Sequence, residues 1–449
     1  MSEMAIPSRR AHARALLTLG LPLVGANLAQ IAVTTTDTIM MGWYGVTELA
    51  GLAIAGPFFF TIYILGAGFA FAVLPMVAEA AGQDDTTSAR RATRMGLWLT
   101  ILFCVFGMLP MLWAEPILLA MGQDPDVSRE AGKYLWIVAF GLVFHSLWNV
   151  LRNFCSGLEH ARVVLWVSIG AAVLNVPLNY LFIFGKFGAP ELGIEGAAYA
   201  SVSVSLAATV AFAIYIIVRL PAFELFKNFH RPDWEAFGKV FRLGTPIGVT
   251  NLAEVGLFAG SGILIGLLGE VPLAAHGIAL QIASITFMVH LGLSGATTVR
   301  VGRFYGQKNG AALRDVALVG LGLSLLMSCL TMIAFLTVPE PLIGVFIDPD
   351  EPLRAEILAV GVGLLAMAAL FQLADGAQVM ALGALRGVQD TKVPMIMAAF
   401  SYWLIGLPAS YVLGIVLGFG AVGVWVGLVL GLLAAGILLS IRFWRRHYV

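Results

Sequence analysis

Residues 15–41 read ALLTLGLPLVGANLAQIAVTTTDTIMM, an apolar run with no lysine or arginine and one acid, Asp37. A bilayer core about 30 Å thick needs about 20 apolar residues at a rise of about 1.5 Å each, so the run predicts a membrane-spanning helix. Its beginning returns later in the chain. Sliding the sequence by 224 residues lays Leu19-Gly20-Leu21-Pro22 on Leu243-Gly244-Thr245-Pro246, and Asn27-Leu28-Ala29-Gln30 on Asn251-Leu252-Ala253-Glu254. The same shift pairs Leu49-Ala50 with Leu273-Ala274, Ile54-Ala55 with Ile278-Ala279, Gly82-Gln83 with Gly306-Gln307, and Asp124-Pro125-Asp126 with Asp348-Pro349-Asp350. Repetition at a single offset marks an internal duplication.

Eleven further runs are long and apolar enough to span, near Leu49 to Ala78, Met95 to Leu112, Tyr134 to Leu151, Val163 to Phe184, Gly193 to Val218, Phe241 to Leu268, Leu273 to Thr298, Val316 to Val338, Ala355 to Ala384, Val393 to Val416, and Ala421 to Ile441. The first run exceeds a signal-peptide core, lacks a small-residue cleavage pattern and is followed at once by another span, so it reads as retained. The expected fold is an all-α integral membrane protein with 12 transmembrane helices in two six-helix lobes. Because six is even, the lobes enter the membrane in the same sense, related by a pseudo-twofold along the membrane normal. The expected domains are an N-terminal lobe over 1–220, a linker over 221–240 and a C-terminal lobe over 241–449.

Composition agrees with this reading and excludes others. The 449 residues are 59% hydrophobic and only 12% charged, against roughly 25% charged in soluble proteins. A water-soluble enzyme is excluded. With 26 Lys+Arg against 26 Asp+Glu there is no bulk positive surface to hold nucleic acid. Cys104, Cys155 and Cys329 lie far apart in apolar runs, without the spacing of a zinc site or a disulfide framework. No GxxxxGK[ST] phosphate loop, HExxH pair or GxSxG turn is present, which removes support for ATP hydrolysis and proteolysis. No enzyme activity and no cofactor is expected.

Cationic loops resist translocation, so they mark the cytoplasmic side. With the N-terminus inside, 22 of the 26 Lys+Arg fall on inside connections and tails; only Arg129, Lys133, Lys186 and Arg354 fall outside. Both termini are therefore placed in the cytoplasm.

A charge at a helix centre costs about 2.5 to 3.5 kcal/mol on insertion scales, so it faces protein or water and marks function. Three acids lie well inside spans: Asp37, Glu254 and Asp375. Asp37 ends a stripe of Asn27, Gln30, Thr34 and Asp37, spaced to share one helix face. Counting the rise per residue puts Asp37 at the depth of Asn175 and Asn179 in the fifth span and Ser201 in the sixth, which predicts a polar pocket in the outer half of the N-terminal lobe. Glu254 follows Asn251 by three residues, and Asp375 lies midway between Gln372 and Gln378. The two carboxylates reach similar depth and are expected to share a cavity in the C-terminal lobe. His145, His276 and His290 read as hydrogen-bonding groups between helices. Pro22 and Pro246 occupy equivalent repeat positions, where a proline frees a carbonyl and permits a bend, so Pro22 is a candidate hinge.

These residues resemble a known family. Gly20-Leu21-Pro22 through Thr35-Thr36-Asp37-Thr38-Ile39-Met40-Met41-Gly42, Asn175-Val176-Pro177-Leu178-Asn179, Asn251-Leu252-Ala253-Glu254, and Phe371-Gln372-Leu373-Ala374-Asp375-Gly376 leading to Leu385-Arg386-Gly387-Val388-Gln389-Asp390-Thr391-Lys392-Val393-Pro394 are similar to the multidrug and toxic compound extrusion (MATE) family, in its bacterial NorM-like branch. The resemblance spans essentially the whole chain. It implies two lobes around a V-shaped cavity and alternating-access export of cationic or amphipathic organic compounds, drugs and toxins among them, in exchange for H+ or Na+. By position it implies an N-lobe cation or proton site at Asp37, Asn175, Asn179 and Ser201. It also implies a C-lobe cation and substrate site at Glu254 and Asp375 with Asn251 and Gln378, Na+ binding at the two acids. The chain departs from some relatives in having Asn at 179 in place of a second acid and Phe at 371 in place of Tyr. The partners implied are organic cations and the lipid bilayer, and a monomer is the expected state. The alternative is a lipid-linked saccharide flippase of the same superfamily, which is expected to have a strongly cationic cavity; no basic residue is expected deep in the spans.

Overall fold

A computed structural model of the chain describes residues 8–446 and 448. The terminal residues 1–7, 447 and 449, part of the tails that the charge count places in the cytoplasm, lie outside the described residues. Twelve helices are long and apolar enough to cross a membrane, and no strand occurs among the described residues. In chain order they are α1 (Arg9–Tyr44), α2 (Val46–Gly82), α3 (Thr86–Leu112), α4 (Pro125–Gly157), α5 (Ala161–Phe184), α6 (Ile194–Arg219), α7 (Trp234–Gly266), α8 (Glu270–Gly306), α9 (Gly310–Thr337), α10 (Arg354–Gly387), α11 (Lys392–Val416) and α12 (Gly420–Arg445).

Local geometry repeats with the sequence. The first turn of α3 is capped by Asp85, whose carboxylate accepts from the Ser88 amide at 3.0 Å. Asn309, 224 residues on, accepts from Ala312 at 3.1 Å and caps α9 in the same way. Such caps satisfy amides that have no partner within the helix. Asp84 and Lys308, also 224 apart, both take the left-handed φ of 55°. Short helices at Ala114–Ala120 and Pro339–Gly344 follow α3 and α9 respectively.

The chain divides into two compact units, and their boundaries are not those expected. One unit is Gly25–Val249; the other takes the described residues up to Val24 together with those from Thr250 onward. Both divisions fall inside a helix, just past Pro22 in α1 and just past Pro246 in α7. The reason is close packing. A Cβ at Gly68 of α2 would come 2.3 Å from the Gly244 carbonyl oxygen and 2.5 Å from the Gly248 nitrogen, so α7 lies backbone to backbone on α2 around Gly244 and Gly248. Only glycines permit that approach. In the other unit, the start of α1 packs on α8, where a Cβ at Gly292 would lie 2.4 Å from Val24, and Arg9 reaches Asp315 of α9 at 3.4 Å. The expected linker is also shorter, because α7 begins at Trp234 where Arg91 pairs with Asp233 and Glu235.

Helix α11 is irregular. Ser401–Gly406 and Val412–Val416 are π-helical, on either side of Leu407–Tyr411. Pro408 has no N–H for the carbonyl four residues earlier, and a wider turn accommodates that gap.

Candidate functional site

Within the unit Gly25–Val249, Asp37 is the centre of a closed hydrogen-bonded cradle. The amide nitrogens of Asn175 and Asn179 donate to its Oδ1 at 2.9 and 2.6 Å. The Ser201 hydroxyl donates to Oδ2 at 3.1 Å. Asn175 and Asn179 share one face of α5 because they are four residues apart, and Asn179 also donates to Asn175 Oδ1 at 3.0 Å. Asp37 is 5% exposed and both asparagines are fully buried. All the donors are neutral. Each bond to a carboxylate contributes about 1.5–3 kcal/mol, against an effective penalty of several kcal/mol for burying the ion. Asn179 Oδ1 is buried with no hydrogen-bond partner. Tyr134 lies beside the same Asp37 and Ser201 and was not expected there.

The other residues of the α1 stripe do something else. Arg152 of α4 donates to Gln30 Oε1 at 3.0 Å and to Asn27 Oδ1 at 2.5 Å. Thr34 is exposed and returns its hydroxyl to the Ile31 carbonyl at 2.9 Å. One face thus serves two sites.

The other unit repeats the arginine pattern. Arg386, on α10, donates to Asn251 Oδ1 at 2.8 Å and lies within electrostatic reach of Glu254. Asn251 and Glu254 are the counterparts of Asn27 and Gln30 under the 224-residue shift, so one arginine device occurs with a neutral partner in one half and an acid in the other. The expectation of no deep basic residue is corrected here: α4 and α10 run on to Gly157 and Gly387, which carries Arg152 and Arg386 into partly buried intrahelical positions. The two Leu-Arg dipeptides, Leu151-Arg152 and Leu385-Arg386, were the available signal.

Asp375 is 2% exposed, with Glu254 close enough to repel it. Its Oδ1 has no hydrogen-bond partner, nor do Gln372 Oε1 and Gln378 Oε1, one turn to either side on α10. The amide nitrogens of both glutamines are used, Gln372 donating to the Ala283 carbonyl at 3.1 Å and Gln378 to Tyr402 Oη at 2.6 Å. What remains are acceptor oxygens only, the donor set that fits a proton or an alkali cation. Tyr402 comes from the first π-helical segment of α11 and adds a hydroxyl near both acids. Phe371 instead packs edge-on against Phe258 and Trp425, at centroid distances of 5.9 and 5.7 Å. Among the described residues no group of three or more His, Cys, Asp and Glu is placed to hold a metal ion.

The histidines act between helices. His290 pairs with Ser324 at 2.8 Å, His276 accepts from Trp425 at 3.1 Å, and His145 lies 3.4 Å from Ser205. The motif after α10 is also structural at Asp390, whose carboxylate accepts from Arg442 Nε and Nη2 at 2.7 and 2.9 Å.

Twelve spans with carboxylates buried among neutral oxygen and amide groups define a multi-pass membrane protein of the carrier type. The MatE family model matches residues 22–181 and again 246–412, and its two matches begin 224 residues apart, at Pro22 and Pro246. A probable multidrug resistance protein NorM of Rhizobium meliloti (strain 1021) is 49% identical over 97% of this chain and 93% of its own length. A protein of the same name from Agrobacterium fabrum is 45% identical over 96% and 93%. The eukaryotic MATE transporter AtDTX14 shares the fold with a TM-score of 0.86 at 19% identity, over 98% of this chain and 97% of that one. An outward-facing multidrug resistance MATE transporter does so with a TM-score of 0.87 at 19% identity, over 97% of each chain. The chain belongs to the MATE family, in its NorM-like branch.

Proposed function

We propose that this protein is a cation-coupled antiporter that exports cationic or amphipathic organic compounds by alternating access, with H+ or Na+ as the exchanged ion. Drugs and toxins are the substrate class, as the names of the NorM relatives indicate for those proteins. The carrying observation is the set of unpartnered buried acceptors around Asp375, matched in the other unit by Asp37 in a cradle of neutral donors. A proton, an alkali cation and an organic cation each satisfy such oxygens, and each excludes the others. Binding of the ion from outside therefore releases the organic cation, and loss of the ion inside restores the acid for the next one. Pro22 and Pro246, next to the boundaries of the two compact units, are the proposed hinges.

The protein acts as a monomer, without cofactor, in a bacterial inner membrane with both termini in the cytoplasm. This reading is favoured over a lipid-linked saccharide flippase because Arg152 and Arg386 are engaged by Asn27, Gln30 and Asn251, while Asp375 keeps an oxygen without a partner. Resistance to ethidium or a fluoroquinolone in cells expressing Asp37→Asn or Asp375→Asn tests it. Each variant should reach the membrane and lose resistance; full resistance in both refutes the assignment.

A further inference from the structure

Tryptophan in a membrane protein favours the two interfaces, where its indole N–H meets water or head groups. Trp403 departs from that preference. It lies near the middle of α11 and is 47% exposed, at a depth where hydrocarbon offers an N–H no partner. The partner comes from α7: Trp403 Nε1 donates to the Ala253 carbonyl oxygen at 3.1 Å, and Ala253 immediately precedes Glu254. A helical carbonyl has a second lone pair with which to accept such a bond. The ring is bedded on the same helix. A Cβ at Gly256 would lie 2.5 Å from the Trp403 ring, and one at Gly260, a turn further on, 2.8 Å from Leu407. Small residues four apart let α11 close on α7 at this height.

The preceding residue reaches the other way. Tyr402 belongs to the same π-helical segment, and its hydroxyl accepts from Gln378 of α10 at 2.6 Å. Gln378 also bonds Glu254 of α7. Three helices are thereby joined in a closed circuit: α11 to α7 through Trp403 and Ala253, α7 to α10 through Glu254 and Gln378, and α10 back to α11 through Gln378 and Tyr402. Asp375 stands on the same helix one turn before Gln378. Of the three links, only that of Trp403 uses no side chain of the acid cluster, because its acceptor is backbone.

We infer that Trp403 is a positioning residue, which fixes the turn of α7 bearing Glu254 against α10 so that Glu254 and Asp375 act as one paired-carboxylate seat for an organic cation. The inference rests on the transport reading, which makes those acids the cation site, and extends it to a residue that touches neither ion nor substrate. Preorganised sites tolerate about 0.5 Å of play, and that is what the bond and the glycine slot hold. The test is equilibrium binding of ethidium to the full chain in detergent, read by fluorescence anisotropy, with thermal unfolding alongside to confirm that each variant is folded. Trp403→Phe keeps an aromatic ring in the slot and removes the N–H. Gly256→Ala keeps the N–H and drives a methyl onto the indole. Each should weaken ethidium binding about fivefold, the worth of one hydrogen bond, and Asp375→Asn should weaken it further. Trp166→Phe, which alters an exposed tryptophan of α5, should bind as the wild type does. Wild-type affinity in both Trp403→Phe and Gly256→Ala, with Asp375→Asn impaired, overturns the proposal and leaves the transport reading in place. Wild-type affinity in Asp375→Asn removes the acids as the cation seat and overturns both.

Discussion

Replacing Tyr402 with Phe isolates one hydrogen bond at the acid cluster of α7, α10 and α11. The Tyr402 hydroxyl accepts from Gln378 Nε2 at 2.6 Å, and both residues are fully buried. The Gln378 amide also bonds Glu254, and its Oε1 lacks a partner, so Tyr402→Phe strips one of the two contacts of Gln378. A buried donor stripped of its partner costs about 1–3 kcal/mol, whereas removal of both partners is nearly neutral. Tyr402→Phe alone should therefore lower the detergent unfolding temperature by several degrees. Adding Gln378→Leu should recover most of the loss, giving a coupling energy of about 1–3 kcal/mol in a double-mutant cycle. The proposed ion site loses a hydroxyl in both variants, so ethidium efflux in everted vesicles should stay reduced in the stable double variant. An additive cycle, with no recovery of stability, would show that the Gln378 to Tyr402 bond does not hold this corner together. Wild-type efflux in the double variant would remove both residues from the site.

Other outcomes follow from the same geometry. Asp37→Asn is isosteric: its amide oxygen can keep the two asparagine donors and its nitrogen can donate to Ser201, so stability should hold within about 1 kcal/mol while efflux is lost. Thermal unfolding measured beside efflux checks both halves of that statement. Gly68→Ala drives a methyl into the Gly244 and Gly248 backbone and should cost about 1–3 kcal/mol, whereas Gly56→Ala meets nothing within 4 Å and should gain up to about 1 kcal/mol. Comparative unfolding of the pair tests the packing. Outside the spans, Arg91 holds the Asp233 carboxyl below its ordinary range. The clasp it makes is fully present above the unfolded pKa of about 4 and is lost only as pH falls below that through the folded value. Proteolysis of the 220–233 connection should be constant from about pH 5 to 9 and rise only in stronger acid, with Asp233→Asn cleaved rapidly throughout.

The cradle of Asp37 was legible because charge in an apolar run is costly and rare, and because helical rise is regular enough to match the depths of Asn175, Asn179 and Ser201. The same logic found Glu254 and Asp375. It missed Arg152 and Arg386 because an arginine beside the end of an apolar run reads equally well as a cytoplasmic anchor; only the length of α4 and α10 separates the two. Tyr402 was not legible, since an aromatic residue in a span is usually packing and its placement depends on the π-helical turn ahead of Pro408. The division of α1 and α7 between units was hidden for a different reason. It depends on which glycines meet across helices, Gly68 with Gly244 and Gly248, and that pairing is absent from either helix read alone.

The central claim is exchange of an ion for an organic cation on buried acids. It is tested most directly in proteoliposomes of the full chain, with the pH and sodium gradients imposed separately. Exchange of one proton for one monovalent cation is electroneutral, so each pH unit should sustain about a tenfold uphill dye gradient. A sodium gradient should do the same if Na+ is the coupling ion. Uphill transport under one of these gradients, collapsing when an ionophore dissipates it and absent in Asp375→Asn, is the predicted result. Dye that only equilibrates under both gradients would contradict the account.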